Sequence, residues 1–246
     1  MFSSIFVKIY HVFTFSIILA SFIYNQLYVK DEQGGGLLHY KGFGGKFKYL
    51  TFWYFCIQTL YFGITVINDL CGSNVGPTDK QQKKSAIQKF RDFFLATVVF
   101  PVGIFVVMTF WGIYAVDREL VYPKALDKLI PSWLNHIMHT TILPFLLVEK
   151  YIVYHQYPSR KSGITTMLFF AILYLAWILW IAYYANIWVY PVLKVLQPHQ
   201  RAVFIIVLLF LFISLYLLGE AINKFFWGKE KSVVNAKPMR QTHKTK

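Results

Sequence analysis

Six stretches of roughly 20 residues carry almost no charge in this 246-residue chain, and that is the length an α-helix needs to cross a bilayer. No other feature constrains the fold as strongly. Within the hydrocarbon core every backbone N–H and C=O must be satisfied inside the protein, which leaves helices or a closed barrel. Continuous apolar runs of this length read as helices. Only 15% of the residues are charged, against about 25% in a soluble domain. The expected fold class is all-α, a polytopic membrane helical bundle forming one domain over residues 1–228. Its spans are read at about 5–28, 47–70, 93–115, 132–154, 163–188 and 202–226, and residues 229–246 as a basic, disordered tail.

Prolines mark the boundaries. Pro101 and Gly103 are expected to kink the third span, and Pro131 precedes the fourth. The pair Tyr190-Pro191 follows the fifth, and Pro198 precedes the sixth. A cleaved signal peptide is the rival reading of the first run, but no clean small-x-small site follows it.

The net charge of +14 matters through its distribution across the loops. With the N-terminus inside, sixteen of the 25 lysines and arginines fall on the inner side and nine on the outer. Both termini are therefore read as cytosolic. The bilayer is the expected partner, and no nucleic-acid recognition module has room to fold. Cys56 and Cys71 are too far apart along one helix to pair, and no metal spacing involves them. The terminal "KTK" is not a full dilysine signal, so the address is read as plasma membrane or endoplasmic reticulum.

Polar groups inside the spans are the places to look for chemistry, because lipid penalises them. The densest cluster is "WLNHIMHTT", Trp133 to Thr141, where His136 and His139 lie three apart on one helical face. Three readings stay open. These groups hydrogen-bond neighbouring helices. Or the two histidines bind a metal with help from His11, His39, His155, His199 or His243, none of which forms a second paired motif. Or a histidine activates a hydroxyl as a nucleophile, with Thr51, Thr59, Thr65, Thr140 and Thr141 as candidates. Depth favours Thr51. It lies three residues past Lys48, about 5 Å into its span, and His139 eight residues past Pro131, about 12 Å. Both therefore fall in the outer half of the membrane, and they meet only if spans two and four pack together. Asp69, Asp92 with Arg91, Glu149 and Glu220 lie towards the inner ends of spans, where ion pairs and helix-end contacts account for them. Glu220 is the deepest and is open to a second reading, as a cavity residue.

The segments "KFKYLTFW", "FPVGIFVV", "YAVDRELVYPK", "PSWLNHIMHTT", "HQYPSRKSG", "WVYP" and "YLLGE" resemble the family of the androgen-induced protein and the androgen-dependent TFPI-regulating protein. The resemblance covers residues 46–228 in order. It implies a multipass membrane hydrolase with a threonine nucleophile and a histidine, cleaving fatty acid esters of hydroxy fatty acids without a cofactor. The family threonine falls on Thr51 in "KYLTF" and the family histidine on His139. Asn135 and His136 are candidate supporting residues, as oxyanion donors. Lys46 and Lys48 are read as interface anchors or as a site for the substrate's free carboxylate. The aromatic rings of "KFKYLTFWYF" are read as walls for an acyl chain. The rival classes are a non-catalytic lipid-binding or transport protein and a His-ligated metal enzyme. Transport predicts polar lining near the midplane of several spans and often internal repeats, whereas the middles of spans one, five and six are almost wholly apolar and no convincing repeat is seen.

Overall fold

The computed structural model of the protein describes residues 3–30, 43–78 and 81–236, with side chains as far as Gly228. Helix is the only regular structure among them. Five helical stretches are long and apolar enough to cross a membrane: Ser4–Tyr28, Leu50–Cys71, Ala86–Val116, Arg160–Tyr184 and Pro198–Gly228. The protein is an integral, multipass membrane protein.

Helix α1 spans Ser4–Tyr28 and α2 Leu50–Cys71. The third span begins earlier than its apolar run, because Ser85 caps α3 (Ala86–Phe94) by accepting from the Gln88 N–H at 3.1 Å. It continues through a π turn, Leu95–Val99, into α4 (Phe100–Val116). Pro101 has no N–H to offer the Thr97 carbonyl four residues back. The wider π turn sits where that bond is missing. Gly103 has a packing role instead: a Cβ there would collide with Tyr54 of α2 and Leu146.

The fourth span departs from expectation. It is two helices, α5 (Ser132–His139) and α6 (Ile142–Ile152), broken at Thr140 and Thr141. Pro144 explains the break, since it cannot bond the Thr140 carbonyl. The Thr141 N–H reaches back to His136 O instead, at 3.0 Å. The pair still crosses the bundle. Trp133 at its start packs on Tyr24 near the end of α1, and Glu149 near its end bonds His11 near the start of α1 at 2.8 Å.

Helix α7 spans Arg160–Tyr184, the short α8 Pro191–Val195, and α9 Pro198–Ala236. Both α8 and α9 begin at a proline, which the first turn of a helix accepts. Helix α9 runs eight residues into the segment expected to be a disordered tail. Residues 237–246, with His243 and the terminal "KTK", lie outside the described residues, as do His39 and Lys41. Glu149 meets His11 near the start of α1, and the neighbouring Lys150 and His155 carbonyls accept from Trp227 and Asn223 near the end of α9, so these two parts of the chain lie at one end of the bundle.

That end is tied by buried ions. His11 Nδ1 lies 2.5 Å from Asp69 Oδ2. Glu149 accepts from Tyr61 at 2.8 Å and lies 3.2 Å from His155 Nε2. His155 Nδ1 also lies 3.2 Å from Asp92, which pairs with Arg91 at 2.8 Å and Lys84 at 3.0 Å. His11, Glu149, Arg91 and His155 are each 0% exposed. Four segments far apart in sequence are thus clamped together. Glu220 pairs with Arg160 at 2.8 Å and Lys224 at 2.6 Å, the ion-pair reading of this residue.

Candidate active site

Spans two and four do touch, and they touch at the two residues that share a depth. Thr51 lies in the first turn of α2, and its Oγ1 is 3.1 Å from His139 Nε2 at the end of α5. The other face of the imidazole ring defines its proton. His139 Nδ1 meets two oxygen acceptors, Asn135 Oδ1 at 2.8 Å and Asn135 O at 3.1 Å. Nδ1 therefore carries the hydrogen, and Nε2 offers its lone pair to the Thr51 hydroxyl. The ring stacks flat on Phe110 of α4, with centroids 3.6 Å apart and planes 13° from parallel. Trp111 Nε1–H donates to the His139 carbonyl at 3.0 Å, holding the end of α5 where Pro144 has broken the helix. Phe110 and Trp111 carry no signature that sequence reasoning could use, because their role depends on α4 facing α5.

The other candidate hydroxyls are occupied locally. Thr59, Thr65 and Thr141 donate to carbonyls of their own helices at 2.7, 2.8 and 3.0 Å, the usual habit of threonine in a helix. Thr140 meets His136 Nδ1 at 3.0 Å, one turn away on the exposed side. His136 stacks near Trp111, at 5.8 Å, and does not face Thr51. His136 Nδ1 is thus occupied by Thr140, and no described hydrogen bond joins His136 to Thr51. Asn135 is beside the site in a different capacity, since both of its oxygens face His139 Nδ1. The two histidines do not converge on a shared point. No group of three or more His, Cys, Asp or Glu among the described residues could hold a metal ion.

The start of α2 is anchored by a chain of hydroxyls. Tyr174 O–H donates to Lys48 O at 2.8 Å, so at the 2.8 Å contact between the two tyrosines Tyr190 is the donor. Tyr190 Oη in turn accepts from the Leu50 N–H at 2.9 Å. The next amide, the N–H of Thr51, has no acceptor among the described residues. It is one of the first-turn donors that no helix bond uses.

Thr51 opens onto a cavity of about 140 Å³. Its walls are apolar and come from α4, α7, α8 and α9, with the Tyr174 and Tyr190 rings beside Thr51. The aromatic run around Thr51 is read as walls for an acyl chain, and two of its rings, Phe47 and Trp53, line a separate pocket with Leu173 and Trp177. Only Leu50 and Thr51 of that run line the cavity, because the helix turns Phe52, Tyr54 and Phe55 into the core. Lys46 and Lys48 do not line it either. Lys46 Nζ donates to Asn25 O at 2.5 Å and Asn25 Oδ1 at 3.0 Å, and Lys48 is 0% exposed.

The fold and this geometry define a polytopic helical membrane protein with a threonine–histidine pair whose threonine lines an apolar cavity. The chain belongs to the family described as FAR-17a/AIG1-like protein, whose model matches residues 6–224. It is 44% identical over 198 residues to the human androgen-induced gene 1 protein, covering 79% of this chain and 83% of that one. It is 38% identical over 185 residues to the human androgen-dependent TFPI-regulating protein, covering 75% and 79%. The mouse protein of that name is 39% identical over the same length. No solved structure matches the chain.

Proposed function

We propose that the protein is an intramembrane lipid esterase with Thr51 as nucleophile and His139 as base. Its substrates are fatty acid esters of hydroxy fatty acids, as the sequence resemblance implies. One observation carries the reading: the 3.1 Å contact between Thr51 Oγ1 and His139 Nε2 beside an apolar cavity. A threonine hydroxyl is a weak nucleophile until a neighbouring base takes its proton. Here the base has its free lone pair on the correct nitrogen.

The chemistry follows from the geometry. His139 Nε2 takes the proton of Thr51 Oγ1 as that oxygen attacks the ester carbonyl carbon. The carbonyl oxygen becomes an oxyanion, and the Thr51 N–H at the positive end of the α2 dipole is the donor placed to receive it. Collapse breaks the bond to the alkoxy oxygen, which takes the proton from His139 and leaves as the hydroxy fatty acid. An acyl-threonine remains. His139 then takes a proton from water, the resulting hydroxide attacks the acyl carbon, and Thr51 leaves with the proton. The fatty acid is released. Asn135 holds the ring with Nδ1 protonated throughout. Its neutral side chain stabilises the imidazolium less than a carboxylate does.

The test is hydrolysis by protein purified in lipid nanodiscs. Wild type is expected to release fatty acid from an ester of a hydroxy fatty acid. Thr51→Ala and His139→Ala are expected to lose that release at unchanged melting temperature. Full activity in either folded variant contradicts the assignment.

A further inference from the structure

We infer that Phe105, Phe170 and Phe212 form the floor of an acyl-chain site and set the length of chain the protein accepts. The inference rests on the esterase reading for its substrate, but its geometry is independent of the chemistry.

Three helices define the same cavity depth. Lining residues run from Phe105 to Ile113 on α4, from Phe170 to Ile178 on α7 and from Phe204 to Phe212 on α9. The two ends of each stretch are eight positions apart, a rise of about 12 Å. Helices α4 and α7 run outward, whereas α9 runs inward. The deep end of each stretch is therefore Phe105, Phe170 and Phe212, and all three lie at one level. Phe105 and Phe212 touch face to tilted face, with centroids 4.1 Å apart. About one turn deeper the bundle is closed: Val102, Met167 and Tyr216 are each 0% exposed.

Thr51 sits well above this floor. It bonds His139, whose ring lies on Phe110. Phe110 is five residues above Phe105, or about 8 Å along α4. An acyl chain on Thr51 that points into the cavity meets the floor after that distance. The cavity volume of about 140 Å³ is close to the ~150 Å³ that accommodates one benzene ring. The site therefore takes a short stretch of apolar chain end-on. His139 does not line the cavity, so the leaving alcohol it protonates lies on the opposite side of Thr51. The cavity side thus selects the acyl half of the ester.

The experiment compares octanoyl, dodecanoyl and hexadecanoyl esters with wild type, Phe212→Ala, Phe212→Trp and Phe170→Ala, all in nanodiscs. In parallel, the matching free fatty acids displace a fluorescent fatty acid from the Thr51→Ala protein, with and without Phe212→Ala. Removing the Phe212 ring extends the site by about one helical turn, roughly 5 Å. The hexadecanoyl-to-octanoyl rate ratio is expected to rise about tenfold or more, since one methylene in a tight apolar pocket already carries about that discrimination. Phe212→Trp is expected to lower the ratio. Phe212→Leu serves where the alanine variant does not fold. If hydrolysis is seen but the ratio stays at the wild-type value in folded Phe212→Ala and Phe170→Ala, the floor is refuted and the esterase stands. If no ester is cleaved but the binding cut-off moves with Phe212→Ala, the esterase reading fails and the floor stands. Absence of both hydrolysis and chain-length-dependent binding overturns both.

Discussion

Asn135→Ala isolates the step by which the imidazole is oriented. In the native site His139 Nδ1 has two acceptors on the same residue, the side-chain oxygen at 2.8 Å and the backbone oxygen at 3.1 Å. Alanine removes the first and keeps the second, so the tautomer that leaves Nε2 free survives the substitution. What is lost is one neutral hydrogen bond and part of the restraint on the ring, while the Phe110 stack at 3.6 Å remains. A hydrogen bond of that kind contributes about 0.5–1.5 kcal/mol. Expressed in the barrier, this is a factor of about 2 to 12 in kcat. His139→Ala removes the base itself and is expected to cost about 10²- to 10⁴-fold. The assay is fatty acid release in nanodiscs at saturating substrate, with melting temperature measured on the same samples. The account predicts a ladder: wild type, then Asn135→Ala within about tenfold, then His139→Ala far below. If Asn135→Ala is as inactive as His139→Ala at unchanged melting temperature, the backbone carbonyl does not hold the tautomer and the reasoning is wrong. A variant indistinguishable from wild type also refutes it.

Further perturbations test other parts of the account. Glu149→Ala leaves His11 and His155 buried beside an empty place, and removing one partner of a buried ion pair typically costs about 3–5 kcal/mol. Thermal unfolding in detergent should show a large fall in stability, and an unchanged melting curve would contradict the clamp. Tyr190→Phe strands the Leu50 N–H next to the nucleophile, at a cost of about 1–3 kcal/mol. Both melting temperature and hydrolysis rate should drop, and a rate equal to wild type would show that the tyrosine chain does not position Thr51. Cys71 is exposed at the end of α2 that is read as cytosolic, and Cys56 is half-buried. In sealed cells carrying Cys56→Ser, a membrane-impermeant maleimide should reach Cys71 only after permeabilisation, and labelling of intact cells would reverse the orientation.

The all-helical membrane fold and the meeting of Thr51 with His139 at one depth were legible because long apolar runs and rise per residue follow from local chain arithmetic. The break in the fourth span was also written locally, in Pro144, but the apolar run around it hides a break that does not interrupt hydrophobicity. His136 and His139 look equivalent in sequence. Only the packing of α4 distinguishes them, by giving one ring to Phe110 and leaving the other on the exposed side. His11 read as a residue near a span end. Its partner Glu149 is 138 positions away, and no local pattern connects such a pair. The cavity was the least legible part. Its walls come from helices whose middles are uniformly apolar, so sequence alone does not separate a residue facing the cavity from one facing lipid.

The central claim is that Thr51 is the reacting atom's residue, and covalent capture tests it most directly. The protein is treated in nanodiscs with a fluorophosphonate-type probe, and the modified residue is mapped by mass spectrometry. The account predicts a single adduct on Thr51 that disappears in His139→Ala and persists in Glu220→Gln. An adduct on another residue, or an active protein that takes no adduct on Thr51, contradicts it.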